Sequence, residues 1–234
     1  MNKLALIFGG SRGIGAACTQ ALAAAGFDVA YTYVSNSPSD PVEARAYRAD
    51  ITQPQQVAQA FDDVQRDFGR ATDCVVANAG ISVPPAPLAQ FTPEDFRQLV
   101  DVNLVGAFNI LAEAARRVAD GGTIIALTTS LVRHAAPGLG PYSATKAAVE
   151  CLVRSLAKEL AARGVRVNAV APGPVDTDLF RAGKTAEARQ RSAAMSPFNR
   201  VGQPHEVAQV VAFLASDRAS WVHGQIVQPN GGLI

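Results

Sequence analysis

The chain reads as an α/β protein built on one doubly wound parallel sheet. Short apolar runs alternate with segments of helical period over nearly all of its 234 residues. The runs end in glycine-rich or polar turns, and this alternation predicts parallel strands covered by helices on both faces. No repeat, low-complexity tract or linker divides the sequence, so a single domain is expected over residues 1–234.

Taken in order, Leu4 to Phe8 has the all-apolar character of a buried strand. The turn Gly9-Gly10-Ser11-Arg12-Gly13-Ile14-Gly15 follows, then an alanine-rich helix from about Ile14 to Ala25. Val29 to Val34 is the second strand and Ala46 to Ala49 a short third, ending at Asp50. Gln53 to Phe68 places Val57, Phe61, Val64 and Phe68 on one helical face. Asp73 to Ala77 is the fourth strand, closed by Asn78-Ala79-Gly80. Thr92-Pro93-Glu94-Asp95 opens a long helix to about Val118, with a capping hydroxyl, proline in the first helical position and first-turn acids. Thr123 to Leu127 is the fifth strand. Tyr142 to Ala162 is a second long helix with Ala148, Leu152, Leu156 and Leu160 on one side. Val165 to Val170 is the sixth strand. Pro172 to Arg200, rich in proline, glycine and charge, predicts an irregular lid with one short helix. Pro204 to Leu214 reads as helix and Gln225 to Gln228 as a last short strand.

Composition narrows the function classes. A formal charge of +1 offers no basic excess for a nucleic-acid backbone. The apolar stretches fall short of a membrane span, and Met1-Asn2-Lys3-Leu4 lacks a secretory pattern, so a cytoplasmic protein is expected. Cys18, Cys74 and Cys151 are far apart and odd in number, which predicts small buried thiols and no disulfide frame. His134, His205 and His223 lack ligand spacing, so no metal site is predicted.

The chemistry concentrates in two places. Tyr142 and Lys146 lie four residues apart on a helix and share a face, where the ammonium favours the phenolate and makes the tyrosine a proton donor. The glycine turn follows a strand and opens a helix, which suits a pyrophosphate at the positive helix end. Together they suggest a carbonyl reduced by hydride on one side and protonated on the other. The glycine turn, Asn78-Ala79-Gly80, Thr128 to Ser130 and Ala171-Pro172-Gly173 all fall at C-terminal strand ends, where ligands of such sheets collect.

The spacing Gly9-x-x-x-Gly13-x-Gly15 resembles the short-chain dehydrogenase/reductase family and its Rossmann-like fold. Tyr142-x-x-x-Lys146 resembles its catalytic pair, Asn103 within Asp101-Val102-Asn103-Leu104 its helix asparagine, and Asn78-Ala79-Gly80 and Pro172-Gly173 its sheet-edge motifs. The close, Gly224-Gln225-Ile226-Val227 to Gly231-Gly232, is similar to the ending of its 3-oxoacyl-[acyl-carrier-protein] reductase branch. The resemblance spans essentially the whole chain. It implies NADPH as hydride donor, Tyr142 as proton donor, Lys146 as ribose ligand lowering the tyrosine pKa, and Asn103 as holder of the water that replaces the proton. Counting back at the family spacing lands on Thr129 for the substrate-binding hydroxyl. Ser130 is preferred, because Ser130-Leu131-Val132 resembles the family's serine followed by two small apolar residues.

For the cofactor the resemblance implies Gly9, Ser11, Arg12, Gly13, Ile14, Gly15, Tyr33, Val34, Ser35, Asp50, Ile51, Asn78, Ala79, Gly80, Tyr142, Lys146, Pro172, Gly173, Val175 and Thr177. No acid stands in Thr32-Tyr33-Val34-Ser35-Asn36 to repel a 2′-phosphate, and Arg12 lies where family members use this residue on that phosphate. NADPH is therefore expected over NADH.

The chain departs from the family at Phe8, usually threonine, at Ala77, usually asparagine, and in the short segment Ser37 to Pro41. On the substrate side, Leu179, Phe180, Met195 and Phe198 would shape one wall, and Leu131, His134 and Leu139 the other. Arg116, Arg117, Arg163 and Arg166 are candidates to meet an acidic carrier protein. The expected activity is an NADPH-dependent ketoreductase. Its first-choice substrate is a 3-oxoacyl thioester of acyl carrier protein or coenzyme A; the alternatives are free ketones, aldehydes or aromatic polyketide-type carbonyls. A more remote alternative is a non-catalytic nucleotide-binding protein that keeps only the fold. The two long helices resemble those of a homotetramer, with a dimer as the alternative.

Overall fold

The computed structural model describes residues 2–35 and 44–234. Seven parallel strands run in the order β3-β2-β1-β4-β5-β6-β7: β1 Leu4–Phe8, β2 Asp28–Tyr33, β3 Ala44–Arg48, β4 Cys74–Ala77, β5 Thr123–Leu127, β6 Arg166–Val170 and β7 Ile226–Val227. β1, β4 and β5 are buried along their whole length. Strands covered on both faces need apolar side chains in both directions, which is why these segments read as continuous runs.

On one face α1 (Gly13–Ala24), through Cys18 and Leu22, shares a core with Val207, Val211 and Leu214 of a C-terminal helix, Pro204–Ala215. On the other, α2 (Pro54–Phe68) contributes Val57, Phe61 and Val64. Phe8 of β1 meets Phe61 there, ring centroids 5.6 Å apart. The predicted long helix from Thr92 is three segments in one rod: α3 (Pro93–Leu99), a π-helical stretch Val100–Gly106, and α4 (Ala107–Arg117). Thr92 caps it as its sequence predicts, its hydroxyl accepting from the Asp95 amide at 3.1 Å. The helix α5 (Gly140–Leu160) turns Val149, Val153, Leu156 and Leu160 inward. Ala148 and Leu152 are only half-buried, so the core face is rotated by about one residue from the sequence reading.

The stretch before the last helix holds two short helices where one is predicted, α6 (Asp178–Arg181) and α7 (Ala186–Ala194); the C-terminal helix is thus α8. Thr177 and Thr185 cap α6 and α7. Buried Asn168 on β6 donates to the Val222 carbonyl and accepts from the Gln225 amide, which fixes the chain just before β7.

Cys18 and Cys74 are buried, and burial pushes both thiols up to about 12, so they are inert. Cys151 departs from the expectation: it is exposed, on the outward face of α5. His223 is structural, bonded to the Val167 amide and the Ala157 carbonyl. Among the described residues no His, Cys, Asp and Glu cluster suits a metal ion, and no helix is long and apolar enough to cross a membrane.

Candidate active site

The glycine turn is held to the sheet through groups that replace the polar side chains missing at Phe8 and Ala77. The Gly9 amide donates to the Thr32 hydroxyl at 3.1 Å, and Asn78 Nδ2 donates to the Gly9 carbonyl at 2.8 Å. The amides of Asn78 and Ala79 both reach the Phe8 carbonyl. Gly9 has φ +80°, and a Cβ there would come within 2.8 Å of the Ala79 backbone. β1 and β4 therefore touch at their C-terminal ends through bare backbone. In the sequence Thr32 figures only in a stretch that lacks an acid, because a threonine inside a strand reads only as a β-former.

α1 leaves this turn with Arg12 at its N-cap, in extended conformation and making no side-chain cap. Its first-turn amides are thus available to an anion. Beside it opens a cleft of about 400 Å³ lined by Gly9, Ser11, Arg12, Gly13, Ile14, Tyr33, Val34, Ser35, Asp50, Ile51, Asn78, Ala79, Gly80 and Thr177, all expected from the sequence. Thr32, Ala49, Thr52, Ile81, Val102, Asp178 and Leu179 also line it and are not among the cofactor residues expected from the sequence. Asp50 is fixed by the amide and hydroxyl of Thr52, both donating to Oδ1. Arg12 has no ion-pair partner among the described residues; Asn36 and the short segment from Ser37 to Pro41 lie outside them.

Pro172, Gly173, Val175 and Gly15 do not line the cleft, nor do Tyr142 and Lys146. Gly173 is pressed against Asn230, Val175 is buried in a bridge with Gly202, and Gly15 lies under Gly9. The lid divides similarly. Leu179 faces the dinucleotide cleft, whereas Met195 and Phe198 line a separate apolar cavity of about 180 Å³ with the C-terminal tail, Pro229 to Gly231 and Leu233. Phe180 lies beneath the Lys184 ammonium, 4.0 Å from the ring centroid.

The reacting end is built where α5 and the π-helical stretch cross the ends of β4 and β5. Asn103 is fully buried, and both ends of its amide are taken by one residue: Nδ2 donates to the Ile81 carbonyl at 2.9 Å and Oδ1 accepts from the Ile81 amide at 2.8 Å. The side chain thereby holds the segment following Gly80, with its second Nδ2 proton and spare lone-pair capacity on Oδ1 left over. A π turn at this position widens the helix where Asn103 must reach the sheet edge, as such turns do at functional sites. Lys146 is buried, with Nζ donating to the Leu127 carbonyl at 3.0 Å. A Cβ on Gly80 would lie 3.0 Å from Asn103 Oδ1 and 3.3 Å from Lys146 Nζ. The absent side chain is what lets the amide and the ammonium both approach Gly80.

The two hydroxyls differ in what they have left to give. Ser130 is 1% exposed and donates to the Pro172 carbonyl at 3.0 Å. The Thr129 hydroxyl accepts from the Leu131 amide at 3.3 Å, capping the 3₁₀ turn Ser130–Val132, and keeps its proton. Of the two, Thr129 keeps a proton to donate, whereas the Ser130 proton is engaged by the Pro172 carbonyl in the segment after β6.

Burial moves both titratable groups away from their ionised forms. Tyr142 is pushed up to about 12 and Lys146 down to about 8. The expectation of a tyrosine made acidic by its neighbour is not met by the protein atoms alone. For reduction this is no handicap: a phenol at about 12 stays protonated throughout the neutral range and is still a stronger acid than an alcohol. Lys146 is the group that titrates within working pH. Its ammonium is present below about 8 and lost above, so kcat/KM for NADPH in the reductive direction should fall about tenfold per pH unit above that value. A profile flat from pH 6.5 to about 9.5 would contradict it.

The residues present fit a dinucleotide: bare backbone at Gly9, amides at the α1 N-terminus, and a cationic side chain at Arg12. When bound, NADPH supplies the hydride; the chain's residues hold the coenzyme and handle the proton.

Comparison with known proteins agrees. Residues 9–234 match the family profile described as enoyl-(acyl carrier protein) reductase. The chain is 42% identical to a short-chain type dehydrogenase/reductase of Picea abies, covering 100% of this chain and 93% of that protein. It is 40% identical to a chloroplastic NADPH-dependent aldehyde reductase-like protein of Arabidopsis thaliana, covering 100% and 94%. It is 35% identical to an acetoacetyl-CoA reductase of Shinella zoogloeoides, covering 99% and 98%. A short-chain dehydrogenase of Burkholderia cenocepacia J2315, solved with NADP, superimposes with a TM-score of 0.89 at 33% identity, covering 99% and 97%. The chain belongs to the short-chain dehydrogenase/reductase family and is an NADP-dependent oxidoreductase acting on CH–OH and C=O groups.

Proposed function

We propose that this enzyme reduces free aldehydes and ketones with NADPH, Tyr142 giving its proton to the carbonyl oxygen and Thr129 hydrogen-bonding that oxygen. Lys146 holds the nicotinamide ribose, and Asn103 keeps the Gly80–Ile81 turn in place beside it. The observation that carries the reading is the approach of Lys146, one turn of α5 after Tyr142, and of Asn103 to Gly80, which lines the dinucleotide cleft.

A free carbonyl is preferred to a carrier-bound thioester because the expected basic cluster is spent elsewhere. Arg116 and Arg117 pair with Glu113, and Arg117 also with Asp62. Arg163 binds Asp120 and the carbonyls of Ala115 and Val118; Arg166 binds the carbonyls of Leu214, Ser216 and Ala219. All four lie toward the sheet edge where β5 and β6 begin, opposite the glycine turn. The similarity to an aldehyde reductase-like protein points the same way. The thioester is retained as a second reading on the similarity to an acetoacetyl-CoA reductase. Turnover of a panel of aliphatic and aromatic aldehydes and ketones beside acetoacetyl thioesters, with NADPH and NADH, decides it. Turnover of thioesters alone would remove the first reading.

Arg12 is the proposed ligand of the 2′-phosphate. A charge-assisted contact of this kind is worth about 1.5–3 kcal/mol. Arg12→Ala should therefore reduce the preference for NADPH over NADH by about 10- to 100-fold with kcat little changed. An unchanged coenzyme ratio would assign the phosphate elsewhere.

A homotetramer is proposed, through the exposed Val105 and Phe108 on one side and the C-terminal segment with the fully exposed Trp221 on the other. Sedimentation equilibrium at micromolar concentration should give four copies; a monomer would refute the assembly.

A further inference from the structure

Tyr142, Lys146 and Glu150 follow one another at four-residue spacing along α5 and so form one stripe of it. The last two grip consecutive residues at the end of β5. Lys146 Nζ donates to the Leu127 carbonyl at 3.0 Å, and the Thr128 hydroxyl donates to Glu150 Oε1 at 3.1 Å. The Thr128 amide extends the ladder to the Val170 carbonyl, and the next residue is Thr129. Glu150 is only 6% exposed, and its one ion-pair partner among the described residues is the largely exposed Arg154, 3.9 Å away. A carboxylate so enclosed is costly, while Val149 and Val153 beside it show that the surroundings accept aliphatic side chains. Burial pushes the Glu150 carboxyl up, opposed by the Thr128 hydroxyl and by Arg154 and Arg133. Nothing in the catalytic chemistry above requires an acid here.

We propose that Glu150 is a positioning residue: by holding the Thr128 hydroxyl it fixes the register of α5 against the end of β5, and with it the placement of Tyr142 and Lys146 relative to Thr129. The role rests on the reading of the active site given above. It differs from simple stability because it acts through the Thr128 hydroxyl, 3.1 Å from Glu150 Oε1 and 3.4 Å from the Val170 carbonyl; loss of the shorter bond displaces the reacting groups, and small displacements of such groups are expensive in rate.

The test uses the full-length chain with NADPH and the best carbonyl of the panel. Glu150→Leu should lower kcat by about 10- to 100-fold. Glu150→Gln keeps an acceptor for Thr128 and should restore kcat to within about threefold of the parent. Thr128→Val removes only the hydroxyl and should reproduce the Glu150→Leu loss, and the double variant should be no worse than either single one. If Glu150→Leu does not fold, the nearly isosteric Thr128→Val decides by the same criterion. Parent kcat in either folded variant, a Glu150→Gln as slow as Glu150→Leu, or additive losses in the double variant would overturn the role. Tyr142→Phe, assayed alongside, separates the two claims. If it is inactive while Glu150→Leu and Thr128→Val run at the parent rate, only the positioning role falls. If Tyr142→Phe keeps turning over, the active-site reading falls and takes the positioning role with it.

Discussion

Tyr142→Phe is expected to reduce kcat for carbonyl reduction by about 10³-fold or more while leaving the protein folded and able to bind NADPH, since a positioned general acid contributes about 10²–10⁴-fold. The side chain is half-buried, and among the described residues its hydroxyl makes no hydrogen bond, so removing the oxygen breaks no structural contact. The melting temperature should move by less than about 3 °C. Burial keeps the phenol near 12, so the parent enzyme holds this proton at every pH in the working range. The loss in the variant should accordingly be the same at pH 6 as at pH 8, whereas a role for the phenolate in the reductive direction would make the deficit grow with pH. Steady-state kinetics at the two pH values, with coenzyme binding followed by fluorescence, reads out both parts. A Phe variant that turns over at the parent rate would dismiss the tyrosine as proton donor.

Much of this architecture could be read from residue patterns because it follows from local rules. Leu4–Phe8, Cys74–Ala77 and Thr123–Leu127 are apolar at every position or nearly so, and only strands covered on both faces require that. Thr92-Pro93 marks a helix start through its own hydroxyl and its missing amide. The glycine turn and the Tyr142–Lys146 spacing are contiguous motifs, and most of the cleft lining follows from them. What escaped depends on contacts between distant segments. The π turn at Val100–Gly106 leaves no mark on hydrophobic period, yet it is set where Asn103 reaches across to Ile81. The choice between Thr129 and Ser130 turns on the Pro172 carbonyl, 42 residues away from Ser130. The arginines that suggested a carrier surface are answered by Glu113, at helical spacing from Arg116 and Arg117, and by Asp62, Asp120 and helix-end carbonyls, which no spacing rule connects to them. The cavity beneath Met195 and Phe198 needs a tail that follows the last strand. In the tyrosine–lysine pair the motif indicates proximity along a helix but not how dry the place is, and burial decides the direction of both shifts.

Gly15→Ala is the substitution expected to do most damage for its size. A Cβ at Gly15 would stand 2.0 Å from the Gly9 carbonyl oxygen and 2.6 Å from Asn78 Nδ2. Those two atoms are themselves hydrogen-bonded at 2.8 Å, so the methyl group enters the bond that ties the glycine turn to the end of β4. Neither neighbour is a flexible side-chain end that can swing aside: one is backbone, and the other belongs to a short side chain held by it. The turn must therefore open, at about 1–3 kcal/mol for an overpacked site. In a chain of this length that lowers the melting temperature by about 3–10 °C. The functional loss should exceed the structural one, because the displaced carbonyl and amides belong to the surface against which a pyrophosphate would lie. The NADPH dissociation constant should rise by about 100-fold or more, an energy of about 2.7 kcal/mol. Gly140→Ala is the matched control: nothing lies within 4 Å of its added Cβ and its φ is not positive, so it should be neutral or slightly stabilising at the start of α5. Isothermal titration with NADPH and thermal melts on both variants make the comparison. Parent affinity in Gly15→Ala would mean that the coenzyme does not depend on this turn.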